Sequence, residues 1–106
     1  MKKIYICAPL RGIIVENIRV ATMWSRKAYK AGYFPICVHI YLEKATGLKE
    51  FTDRLKLLEL GIEALKMCDE CWVCTPTISE GMKGEITAAL KNKIKVRYVW
   101  KEMKLK

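Results

Sequence analysis

The stretch CDECWVCTPTISEGMKGEI, residues Cys68–Ile86, decides the architecture. Within it, ECWVCT is a short apolar run ending before Pro76, the pattern of a buried strand. A helix follows from about Ser79 to Lys91, because Ile86, Ala89 and Leu90 recur on one face. Strand, turn and helix in that order make half of a βαβ unit. The helix start carries Gly81 and Gly84, and each glycine inside a helix costs roughly 1 kcal/mol relative to alanine. The chain must gain something there.

Outward from this unit the same alternation continues. KKIYICAP is an apolar run bounded by Pro9 and Gly12 and reads as the first strand. From Val15 to Ala31, Ile18, Ala21, Thr22, Trp24, Ala28 and Tyr29 recur at helical spacing, and Gly32 stands where a helix C-cap prefers glycine. YFPICVHI reads as a second strand with Pro35 near its start, and YLEKATGLKE as a polar loop. Leu55, Leu58, Ile62 and Leu65 mark a helix from about Glu50 to Met67, interrupted by Gly61. IKVRYVW closes as a fourth strand whose alternating pattern suggests an edge. The order predicts an α/β fold: one domain over residues 1–106, with a flavodoxin-like or Rossmann-like parallel sheet of four or five strands. The expected strand order is 2-1-3-4, with helices on both faces.

Composition narrows the function classes. Hydrophobic residues are 52% of the 106, yet none of their runs reaches membrane-spanning length. The N-terminal apolar run breaks at Pro9 and Arg11, too early for a signal peptide. Five cysteines, an odd number in apolar runs, fit reduced thiols and a cytoplasmic protein. The net charge of +9 favours anionic partners, from phosphorylated small molecules to nucleic acid, unless it is a solvated lysine-rich surface. Nucleic acid is the least favoured, because no zinc-finger spacing or basic motif interleaved with aromatics accompanies the charge.

In a 2-1-3-4 sheet the ligand crevice opens between the C-terminal ends of strands 1 and 3, where the loops APLRG and TPTISEGMKGE meet. Gly81, Gly84 and Glu85 fall at i, i+3 and i+4, so they share a helix face that is hollow for want of side chains. The helix N-terminus would attract an anion there and hold Glu85 ionised. The same residues also read as a plain helix start, with Thr77 and Glu80 as a capping box. Arg11 offers a planar fork for phosphate, and Gly12 lets backbone approach it. Ser79 and Met82 lie in the same turn as Gly81 and are counted with the candidate ligand-binding residues. Tyr5, if buried, needs a partner for its hydroxyl, and Glu85 is the candidate. Ala8, Pro9, His39 and Tyr41, near the ends of strands 1 and 2, are candidate base or sugar contacts, and His39 reads equally as a hydrogen-bonded structural histidine. Cys68, Cys71 and Cys74 are spaced by three, which on a strand turns them to opposite sides, so no metal site is expected. No cofactor is expected either.

IYICAPLRG, AGYFPICVHIY and CDECWVCTPTISEGMKGEI, in this order, resemble the nucleoside 2-deoxyribosyltransferase superfamily over Lys3 to Tyr98. The resemblance implies a glutamate nucleophile, Glu85, that attacks the anomeric carbon of a nucleoside, with Tyr5 hydrogen-bonded to it. Ser79 and Arg11 resemble residues that hold the 5′-phosphate in deoxynucleoside monophosphate N-glycosidases, and Asp69 resembles a structural aspartate. A homo-oligomer is implied as well. At the position of the family's second catalytic carboxylate this chain has Gly61. Two expectations follow: an enzyme that cleaves or transfers the N-glycosidic bond of nucleoside monophosphates, or a non-catalytic protein that sequesters a phosphorylated nucleotide.

Overall fold

The computed structural model describes residues 1–9, 14–49 and 52–105. Its elements run β1 (Lys3–Cys7), α1 (Ile14–Lys30), β2 (Phe34–Ile36), α2 (His39–Thr46), α3 (Arg54–Leu65), β3 (Glu70–Val73), α4 (Glu80–Lys91) and β4 (Lys95–Arg97), followed by a 3-10 helix (Val99–Leu105). The four strands form one sheet in the order β2-β1-β3-β4, and every pairing is parallel. This is the predicted α/β fold and strand order. Among the described residues no helix is long and apolar enough to cross a membrane.

The two central strands are buried on both faces, as parallel strands covered by helices must be. Successive side chains alternate between two cores. Ile4, Ile6 and Ala8 of the first strand and its end, with Trp72 and Cys74, pack against Ala21, Trp24 and Ala28 of α1 and against Val99. Trp24 and Tyr33 each meet the Trp72 ring edge-on, with centroids 6.2 and 6.0 Å apart. On the other face Tyr5, Cys7, Cys71 and Val73 pack against Leu65 of α3, Met82 and Ala89 of α4, and Ile94. Cys71 and Cys74 therefore serve different cores, as the strand spacing requires.

Three boundaries differ from the sequence expectation. The second strand ends at Ile36, and the segment expected as a loop contains α2; His39 opens that helix and does not end a strand. The run Cys37–Tyr41 is rich in β-branched and aromatic residues, and Val38 caps α2 without any side-chain hydrogen bond, so the usual start signal is missing. Its end is legible: Gly47 takes φ +75° and returns its N–H to the Glu43 carbonyl. The fourth strand is three residues, and its expected continuation turns into the 3-10 helix. The third helix runs through Gly61 without a break, and its expected start at Glu50 lies outside the described residues.

The sheet edges are short. Both β2 and β4 have three residues, one carrying Pro35 and the other Lys95 and Arg97, features that discourage strand addition. Glu70, buried at the start of β3, ties the lower sheet together: it accepts from Trp72 Nε1 at 2.9 Å and lies 3.2 Å from Lys2 Nζ and 3.6 Å from Arg97 Nη1. Arg97 also stacks on Trp72 and pairs with Glu102, fixing the 3-10 helix against the sheet.

Candidate functional site

Tyr5 points from β1 toward α3 and α4, the face its alternation assigns it. Its side chain has no solvent exposure, so its hydroxyl must find a partner. The partner is Glu85: Tyr5 Oη donates to Glu85 Oε2 at 2.5 Å. Cys7 lies two residues further along the same strand face, and its thiol donates to the other oxygen, Oε1, at 3.4 Å. Each carboxylate oxygen thus has its own donor. Cys7 was not among the residues singled out from sequence, although its i+2 spacing from Tyr5 put it on the same face.

Glu85 stands in the second turn of α4, beyond the free N–H groups of the first, and is only 6% exposed. Burial pushes its carboxyl up from 4.5 to about 7, against the opposing hydrogen bonds from Tyr5 and Cys7. The expectation that the helix N-terminus keeps Glu85 ionised is therefore corrected: at neutral pH the group is shared between its two forms. The Tyr5 hydroxyl is itself held well above its ordinary range, by burial first and by Glu85 second. A hydrogen bond with Cys71, then burial and the Glu85 charge, raise the Cys7 thiol as well.

Above the pair lies Gly61 of α3. A Cβ at this position would come within 3.1 Å of Tyr5 Oη and 3.2 Å of Glu85 Oε2, so α3 covers the pair with bare backbone. Position 61 faces Glu85 directly and carries no carboxylate.

The two glycines of the opening stretch separate. Gly84 faces α3, where a Cβ would meet Leu58 Cδ2 at 3.1 Å; it allows the close approach of two helices and does not line a hollow. Gly81 has nothing among the described residues within 4 Å of an added Cβ and is the open position. Ser79, not Thr77, is the N-cap: its Oγ accepts the Met82 N–H at 3.2 Å, replacing the expected Thr77–Glu80 box. The Met82 side chain is buried in the core, with Thr75 Oγ1 3.8 Å from its sulfur.

The remaining candidates are dispersed. Ala8 is buried and Pro9 half-buried, both just past the C-terminal end of β1. Arg11 and Gly12 lie outside the described residues. Tyr41 is exposed on α2, two residues after His39. Asp69 accepts the Lys3 N–H at 2.7 Å at the opposite end of the sheet, a structural bond.

Fold and site define an open parallel α/β domain with a buried tyrosine–glutamate pair beside its switch point. Residues 2–99 match the family described as Domain of unknown function (DUF7768), and the chain belongs to that family. No curated protein and no solved structure matches it.

Proposed function

We propose that the protein binds nucleoside 5′-monophosphates and cleaves or transfers their N-glycosidic bond, with Glu85 as nucleophile. The Tyr5–Glu85 hydrogen bond carries this reading. Tyr5 anchors Oε2, and Oε1, held among the described residues by a weakly donating thiol, is the oxygen left to react. Ionised Glu85 attacks the anomeric carbon, the glycosidic bond breaks, and the base leaves with the bonding electrons. The base takes its proton from solvent, since position 61 supplies no acid. Water then hydrolyses the glycosyl ester and restores the carboxylate, or a second base takes the sugar. Open space at Gly81 and the first turn of α4 favour a phosphate, with Ser79 and Arg11 as its expected partners by resemblance. A cytoplasmic setting suits five cysteines held as thiols, and a homo-oligomer is what the resemblance implies.

Acid quench during turnover tests the chemistry. Mass spectrometry should find a sugar phosphate ester on the peptide containing Glu85. Base release that persists in Glu85→Ala contradicts the assignment.

A second reading, a non-catalytic protein that sequesters a phosphorylated nucleotide, is favoured by one observation: Gly61 faces Glu85 where a second carboxylate would stand. It predicts a tightly bound nucleotide recovered chemically unchanged.

A further inference from the structure

The charge of the helices is unevenly placed. In α2 and α3 cations and carboxylates balance, Lys44 against Glu43 and Arg54 and Lys56 against Glu59 and Glu63; in α4 Glu80 pairs with Lys83, and Glu85 is buried away from Lys91. In α1, Arg19, Arg26, Lys27 and Lys30 face a single carboxylate, Glu16. Glu16 binds Arg19 at 2.6 Å, leaving Arg26, Lys27 and Lys30 without a carboxylate partner among the described residues. The four cations, with Thr22 and Met23, enclose an open hollow of about 420 Å³.

At 100° per residue, Arg19, Arg26 and Lys30 form one stripe on the side of α1 opposite Ala21, Trp24 and Ala28, which are buried against the sheet, while Met23 is half-buried and packs against the same core. The stripe faces solvent and extends about 16 Å at 1.5 Å per residue. An array of that length suits a chain of phosphates better than one compact anion. Beside it stands Tyr29, 73% exposed and three residues from Arg26 on the helix surface. The expectation against nucleic acid rests on the lack of a basic motif interleaved with aromatics; on α1, Arg26 and Lys30 are flanked by Tyr29 on one side and by Lys27 on the other, with Lys27 Nζ 5.7 Å from the Trp24 ring centroid and Ala28 turned to the core.

We propose that this face of α1 binds single-stranded nucleic acid without sequence preference: Arg26, Lys27 and Lys30 contact successive phosphates and Tyr29 stacks on a base. The choice over an anionic membrane follows from the apolar side of α1. Ala21, Trp24 and Ala28 are committed to the core, which leaves no broad apolar face to enter a bilayer. The site is independent of Glu85, which lies on the other side of the sheet.

The test is fluorescence anisotropy of the full chain with a labelled single-stranded oligonucleotide of about 16 nucleotides. Binding at low salt should weaken with a log–log salt slope of about −2 to −3, as three or four neutralised phosphates require. The double variant Arg26→Glu, Lys30→Glu should lose affinity about tenfold or more, and Tyr29→Ala about fivefold or more. The milder Arg26→Gln, Lys30→Gln pair gives a smaller loss in the same direction should the reversal disturb folding. Lys83→Glu, Lys91→Glu on α4 serves as the control and should lose less than the α1 reversal. Absence of binding overturns the proposal. So does an equal loss in the control, or binding to phosphatidylserine vesicles but not to the oligonucleotide.

Discussion

Tyr5 and Glu85, 80 residues apart in sequence, share a 2.5 Å hydrogen bond beneath the bare backbone of Gly61. Both groups are buried, where a hydrogen bond is electrostatically stronger than in water. Removing the hydroxyl in Tyr5→Phe leaves Oε2 unsatisfied. Stability should fall by about 2 kcal/mol, within the range for hydrogen bonds to charged groups, and the Glu85 carboxyl should titrate higher still. Chemical denaturation reads the first effect; carboxyl-resolved NMR titration reads the second.

Gly61 and Gly81 are both helical glycines, and alanine at each should act oppositely. At position 61 the added methyl presses on Tyr5 Oη and Glu85 Oε2, whose mutual bond leaves them little room to retreat. The strain should exceed the helix propensity gained, for a net loss of about 1 kcal/mol. At position 81 the methyl meets nothing, and Gly81→Ala should stabilise by about 0.5 kcal/mol. If phosphate enters at that turn, the same change weakens nucleotide binding, and only a ligand titration set beside the melting curve separates the two effects.

The Glu85 carboxyl also sets a pH dependence. Its folded pKa of about 7 exceeds the ordinary 4.5, so between these values the folded chain holds a proton that the unfolded chain releases. Stability contributed by the neutral form is complete below about 4.5 and is lost as pH rises through about 7, by roughly 3 kcal/mol in all. Glu85→Gln keeps an acceptor for Tyr5 and has no proton to lose. It should be more stable than the native chain at pH 8 and close to it at pH 5, as measured by urea midpoints. Activity runs the other way: the attacking form is the ionised one, and base release should rise between about pH 6 and 8.

Ser79 caps α4 through the Met82 N–H, and Thr77 has no part in that cap. Ser79→Ala should cost about 1 kcal/mol. Thr77→Ala should cost less, because the Thr77 contact with Thr75 Oγ1 uses its backbone carbonyl, which the substitution keeps. Paired denaturation curves check the difference.

The sequence makes the sheet order legible because four apolar runs alternate with helical periodicity and crossovers of one hand leave few arrangements. The Tyr5–Glu85 pair was also legible, since a buried tyrosine needs a partner and α4 offers a carboxylate. Less was visible where signals cancel. Helix α2 begins with a strand-like run and an uncapped Val38. The use of Gly84 depends on Leu58, a neighbour from another helix whose approach no periodicity reports. The Glu85 titration depends on depth, and helix position alone pointed to the opposite direction. Gly61 is the clearest case: in sequence it interrupts a leucine pattern, while in space it is the lid on the pair.

The most direct test of the central claim is incubation of the purified protein with each deoxynucleoside 5′-monophosphate, following free base by chromatography, with Glu85→Gln in parallel. The account predicts base released from at least one nucleotide by the native chain and none by the variant. Full recovery of every nucleotide intact, at high protein concentration and pH 8, would contradict it.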